Sequence, residues 1–153
     1  MKLKLALAPI LATVTIAVSA GPVEDQIRFR QSAYSFLGWN TAKIKNQVVD
    51  HPETYNKEAV IAAANAIAVV ANSNLEELYG AGTDQGTGWK PTRLKSDYFQ
   101  KQEEVKEINA AFIKEANGLE TVATSADVAA IKAQFGKVGA ACKNCHDLIR
   151  IRE

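Results

Sequence analysis

The sequence predicts an all-α protein, an antiparallel up-down-up-down four-helix bundle, on three observations. Four long segments repeat their apolar residues at spacings of three and four. Proline, glycine or capping residues stand at the ends of each. No run alternates polar with apolar residues in the two-residue period of a strand, and the connections are short enough to make consecutive helices antiparallel neighbours.

The first helix is expected over about 23–49. It opens after Pro22 with Glu24 and Asp25 in a first turn that favours acids, and it stops before Pro52. Its inward stripe reads Val23, Ile27, Arg30, Tyr34, Leu37, Thr41, Ile44, Val48. The second is expected over about 57–79, with Asn56 as N-cap, Val60, Ala64, Ile67, Ala71, Leu75 and Leu78 inward, and Gly80 just past its end. Four glycines and a proline in "GAGTDQGTGWKPTR" then break the periodicity, which predicts a long surface loop. The third helix, about 95–117, carries Tyr98, Val105, Ile108 and Phe112 inward and ends at Asn117-Gly118. The fourth, about 125–151, starts at Ser125 and turns Val128, Ile131, Phe135, Val138, Cys142, Cys145 and Ile149 to the core.

Ahead of these helices, "MKLKLALAPILATVTIAVSA" has a basic start, an apolar middle and a small-residue ending. It reads as a secretory signal peptide cleaved after Ala20, leaving 21–153 as one helical domain. A membrane anchor fits less well, because Pro9 interrupts a run already short for the roughly 20 residues of a bilayer span. Acids and bases nearly balance across the chain, 17 against 18, so no basic stripe points to nucleic acid and partner choice falls to local patches. Met1 is the single methionine and leaves with the signal peptide.

The chemistry is concentrated at the other end. Both cysteines of the chain lie in "CKNCH", Cys142 and Cys145, followed at once by His146. A structural zinc site needs four ligands, and the sequence adds only His51. A redox dithiol wants its Cys-x-x-Cys at a helix N-terminus after a strand, and this one lies near a helix C-terminus. A disulfide within one helical turn would distort the backbone. The remaining reading is c-type haem attachment: two thioether bonds from Cys142 and Cys145, and iron ligation by the imidazole of His146.

Antiparallel packing sets Arg30 to Tyr34 level with His146, and puts His51 about 20 residues or roughly 30 Å further along. Tyr34 reads either as a core aromatic with its hydroxyl at the rim or as a residue on the distal face of the haem. Arg30 breaks an inward stripe, where a charge needs a partner: a haem propionate, or water reached by snorkelling. Arg150 lies one turn after His146, beside the imidazole or simply solvated. With methionine gone, the expectation is five-coordinate, high-spin iron that binds small gases.

With "CKNCH" on the last helix and "IRFRQSAY" on the first, the chain resembles the cytochromes c′, the class II c-type cytochromes of bacterial periplasms. The resemblance spans essentially the whole chain after the signal peptide. It implies one covalent haem c with Cys142 and Cys145 as thioether residues and His146 as proximal iron ligand. It further implies Arg30 and Gln31 at the propionates, Tyr34 at the distal position and Arg150 as the proximal basic residue. A periplasmic homodimer through the first two helices, electron transfer with redox partners, and binding of nitric oxide or carbon monoxide are also implied. The competing expectation is a haem enzyme, a small peroxidase or nitric oxide reductase.

Overall fold

A computed structural model describes residues 22–125 and 127–152, so the expected signal peptide lies outside the described residues. Four helices form: α1 (Val23–Lys45), α2 (Lys57–Ala71), α3 (Gln102–Ala123) and α4 (Val128–Ile149). α1 packs on α2, α2 on α3 and α3 on α4, the order of an up-down-up-down bundle. The core between them is apolar and tightly closed, with Ile27, Ile44, Ile67, Leu119 and Ile131 completely buried. Each such side chain contributes about 1.5–3 kcal/mol relative to exposure. Among the described residues only two isolated antiparallel bridges occur, Thr87 with Pro91 and Leu94 with Arg150.

Every helix differs from its expected limits for a local reason. α1 loosens into a π turn over Asn46–Asp50, closed by His51 N–H on the Asn46 carbonyl at 2.7 Å; His51 then turns out of helical geometry, as a residue before proline tends to. α2 stops at Ala71 rather than near 79. The side chains of Asn72 and Ser73 bond back to the Ala68 and Val70 carbonyls, Asn74 adopts a left-handed φ of 56°, and Leu75–Leu78 form a separate 3₁₀ turn.

α3 begins late, after a 3₁₀ turn at Ser96–Gln100, and it runs straight through Gly118. A Cβ on Gly118 would stand 2.7 Å from the amide of Gln134, so this glycine lets α4 approach closely instead of ending the helix. Leu119 and Ala123 beyond it are completely buried, which outweighs the cost of glycine in a helix interior. α4 is capped by Asp127, whose carboxylate accepts from the N–H groups of Ala129 and Ala130, not by Ser125.

α4 packs against the π turn that follows α1, while its contact with α1 itself is marginal. The bundle is therefore closed at one end and parted at the other, between the start of α1 and the end of α4. The long loop 80–93 lies across that parted end.

Candidate functional site

The end of α4 borders the parted region from two sides. Helical spacing sets Cys142, His146 and Arg150 along one edge. There, with Gly139, Arg93 and Arg152, they line a cleft of about 660 Å³, within the range of cofactor-sized pockets. Cys145 lies around the helix from this edge and lines a narrower cavity with Tyr34, Leu75, Tyr79, Tyr98 and Ile149. Both cysteines are half-buried free thiols, as their inward positions required, and His146 is exposed at the cleft. Lys143 and Arg152 both pair with Asp147 on the cleft wall and hold its carboxyl below the usual range.

Burial raises the thiol of Cys142, and burial together with its neighbour Cys142 pushes Cys145 up to about 11. A redox dithiol needs the opposite shift, because the thiolate is its nucleophile. Two protonated thiols beside an exposed imidazole, at the mouth of a roomy cleft, suit covalent attachment of a porphyrin better than disulfide exchange.

The narrow cavity is walled by tyrosines. Tyr79 donates a hydrogen bond of 3.0 Å to the Tyr34 hydroxyl and stacks on Tyr98 with ring centroids 5.0 Å apart. Tyr34 sits at the rim, 36% exposed, yet loss of water around its oxygen pushes the hydroxyl up to about 12. Tyr79 is shifted well above its ordinary value, again chiefly by burial. Tyr79 lies off the helical stripe followed in the sequence, on the turn after Leu78, and nothing in the periodicity singles it out.

Arg30 is buried, and its charge is met by the protein. Nη1 donates to the Leu78 carbonyl and Thr83 hydroxyl, both at 3.1 Å. Nη2 donates to the Thr83 carbonyl and Thr92 hydroxyl, both at 2.9 Å. Its guanidinium also lies 4.4 Å from the centre of the Tyr79 ring. Gln31, the next residue, points at the far part of the loop: Oε1 accepts from the N–H groups of Trp89 and Lys90, and Nε2 donates to the Lys90 carbonyl at 2.8 Å. The two residues expected at the propionates therefore pin the loop 80–93 to α1. Gly88 permits the contact, since a Cβ there would meet the Arg28 backbone nitrogen at 2.7 Å.

The structure thus places Cys142, His146 and Arg150 on the cleft and Cys145 and Tyr34 on the narrow cavity, two hollows on either side of the end of α4, with Arg30 against Tyr79 and Gln31 on α1 bonded to the loop. His51 is remote in sequence and structure from both hollows, exposed and paired with Glu53 at 3.1 Å. A four-helix bundle parted over a Cys-x-x-Cys-His helix defines a class of protein, the bundle-type c cytochromes.

Comparison with known proteins narrows the class to a family. The family model described as cytochrome c′ matches residues 25–150. The chain is 50% identical over 130 residues to cytochrome c′ of Rhodocyclus tenuis, covering 85% of this chain and 96% of that one. It is 45% identical over 142 residues to that of Allochromatium vinosum, covering 93% and 90%. Among solved structures, cytochrome c′ from Thermochromatium tepidum superposes with a TM-score of 0.81 at 40% identity, covering 88% of this chain and all of the other. A second, described as a cytochrome c′ with an unusual ligand-controlled dimer dissociation, also gives 0.81, at 45% identity and with 86% and 98% covered. The chain belongs to the cytochrome c′ family, whose members carry one covalent haem c.

Proposed function

We propose that this protein is an exported, periplasmic haem protein that transfers one electron and binds small gases such as nitric oxide and carbon monoxide. Cys142 and Cys145 hold the haem vinyl carbons through thioether bonds, and the His146 imidazole ligates iron from the proximal side. The bound haem supplies a one-electron couple and an iron centre open to diatomic gases.

One observation supports the reading of an open sixth position: the narrow cavity beside Cys145 is lined by Tyr34 and Tyr79, whose phenols are neutral at ordinary pH, and by no histidine or methionine. A neutral phenol is a poor iron ligand. Tyr34 therefore crowds the distal side without occupying it, and Tyr79 holds Tyr34 in place. Arg150 flanks His146 in the same cleft and supplies a proximal positive charge. Arg30 and Gln31, assigned to the haem propionates by the family resemblance, fix the loop 80–93 to α1.

Export rests on the amino-terminal sequence, and no helix among the described residues is long and apolar enough to cross a membrane. A homodimer through α1 and α2 is supported by exposed apolar side chains on both helices, Phe29, Phe36 and Trp39 on α1 and Val69 on α2. The relative described by ligand-controlled dimer dissociation supports a dimer. A peroxidase or nitric oxide reductase would use a distal acid–base group poised near neutral pH, and the two tyrosines are shifted the other way.

Mass measurement and visible spectra of the secreted protein test this reading. Expected are one added haem, a high-spin ferrous spectrum, and a changed spectrum on adding carbon monoxide or nitric oxide. Absence of haem mass removes the proposal, and a low-spin spectrum in both oxidation states removes the open position.

A further inference from the structure

The carboxyl end of α4 leaves the carbonyls of Asp147, Leu148 and Ile149 without partners inside the helix, as every helix end does. The last turn closes with Arg150 N–H on the His146 carbonyl at 3.0 Å. All three remaining carbonyls are taken by one residue of the preceding loop. Lys95 Nζ donates to the Asp147 carbonyl at 2.8 Å and to that of Leu148 at 3.1 Å, and its backbone N–H donates to that of Ile149 at 2.8 Å.

The clasp is completed by Ile151 N–H on the Arg93 carbonyl at 2.8 Å. It is anchored by Leu94, buried with Ile149 in a small apolar cluster against which Cys145 packs. Lys143 and Arg152 do not share this task, since both pair with the Asp147 carboxylate. A cation at a helix carboxyl end is also favoured by the helix dipole.

We propose that Lys95 is a positioning residue for His146, holding the last turn of α4 so that the imidazole keeps one orientation toward the iron. This rests on the reading of His146 as iron ligand given above. Helix ends fray when their carbonyls are left to water, and His146 is the last residue before the three that Lys95 holds. Without the ammonium group, unwinding starts one residue from the ligand. The tether also joins the end of the loop 80–93 to the helix that carries His146.

The test uses the secreted holoprotein and the variants Lys95→Met, which keeps the stem and loses the donors, and Lys95→Arg, which keeps a cation with donors. Amide exchange at Arg150 and Ile151 is expected to quicken about tenfold in Lys95→Met, which loses both hydrogen bonds from the ammonium group. The ferrous iron–histidine stretching band in resonance Raman is expected to broaden and shift, and Lys95→Arg is expected to restore both. A Lys95→Met band coincident with the wild-type band, at full haem mass, overturns the proposal. Should Lys95→Met fail to mature, Lys95→Gln, with one neutral donor group, is expected to give an intermediate band, and a wild-type band there overturns it equally. Absence of haem mass from the wild-type chain sinks the haem reading beneath it, an outcome separate from an unmoved band.

Discussion

The hydroxyl of Tyr79 donates to that of Tyr34 across 3.0 Å, joining a turn after α2 to the middle of α1 at the mouth of the narrow cavity. The pair is part of a stack: Arg30 lies over one face of Tyr79, and Tyr98 packs on the ring at 5.0 Å. Tyr34 is thus not a loose rim residue. Its hydroxyl is located by a partner that is itself in contact with a cation and an aromatic ring, so under the proposed distal role of Tyr34 ligand access depends on residues from three separate stretches of chain.

Removing that obstruction is expected to favour gas binding. In Tyr34→Ala the affinity of the ferrous protein for carbon monoxide is expected to rise about tenfold, the relief of crowding worth one to two kcal/mol. Tyr79→Phe keeps the ring and the stack and loses only the hydrogen bond, for a smaller gain of about threefold. Spectrophotometric titration with carbon monoxide checks both. Unchanged affinity in Tyr34→Ala means that Tyr34 does not stand in the ligand's path.

Alkaline stability follows from the same pair. The folded protein holds the Tyr34 hydroxyl near 12, above the ordinary 10, and raises that of Tyr79 as well. The folded state therefore binds these protons more tightly than the unfolded chain does, and stability falls wherever the unfolded tyrosines have ionised and the folded ones have not. The contribution is complete below pH 10 and is lost between about pH 10 and 12. Urea unfolding across that range is expected to show the fall, and Tyr34→Phe with Tyr79→Phe is expected to flatten it.

The four helices and the Cys-x-x-Cys-His cluster were legible because both are local patterns. Spacings of three and four mark a buried face, and Cys142, Cys145 and His146 are adjacent in the chain. The limits were not, because they were decided by contacts between segments. Gly118 reads as a helix stop until Gln134 and the burial of Leu119 are in view. Leu75 and Leu78 continue an apolar rhythm that Asn72, Ser73 and Asn74 have already broken through their own backbone bonds. Arg30 was recognised as a charge in need of a partner, but its partners, Thr83 and Thr92, lie more than 50 residues away in a loop with no periodicity. Lys95 and Tyr79 carry no signal in the sequence at all.

Arg30 is expected to matter for stability as much as for haem contact. Arg30→Ala removes four hydrogen bonds and a stacked cation, and it leaves the Thr83 and Leu78 carbonyls buried without these donors. The cost is expected to be about 3 kcal/mol. Arg30→Lys keeps the charge but cannot reach both sides of the loop at once, and is expected to lose about half as much. Chemical unfolding measures both, and a loss in Arg30→Ala below the usual scatter of surface substitutions shows that the loop does not depend on this anchor.

The apolar patch on α1 and α2 yields the prediction for assembly. Phe29, Phe36 and Trp39 are 61%, 45% and 57% exposed, and Val69 is 68% exposed. Phe36 and Trp39 pack on each other at 5.8 Å, and Lys43 lies over the indole at 3.2 Å, so this part of the patch is ordered before any partner arrives. Such pre-ordered aromatics carry much of the energy of an interface, because little freedom is lost when they are covered. Phe36→Glu and Trp39→Glu are each expected to weaken the dimer by tenfold or more, about 1.4 kcal/mol or greater, while leaving helical content unchanged. Phe99→Ser, at an exposed aromatic outside these two helices, is the matched control and is expected to remain dimeric. Sedimentation of the holoprotein separates the cases: monomers for both α1 variants and a dimer for the control support the patch as the interface, and equal dimers in all three place the contact elsewhere.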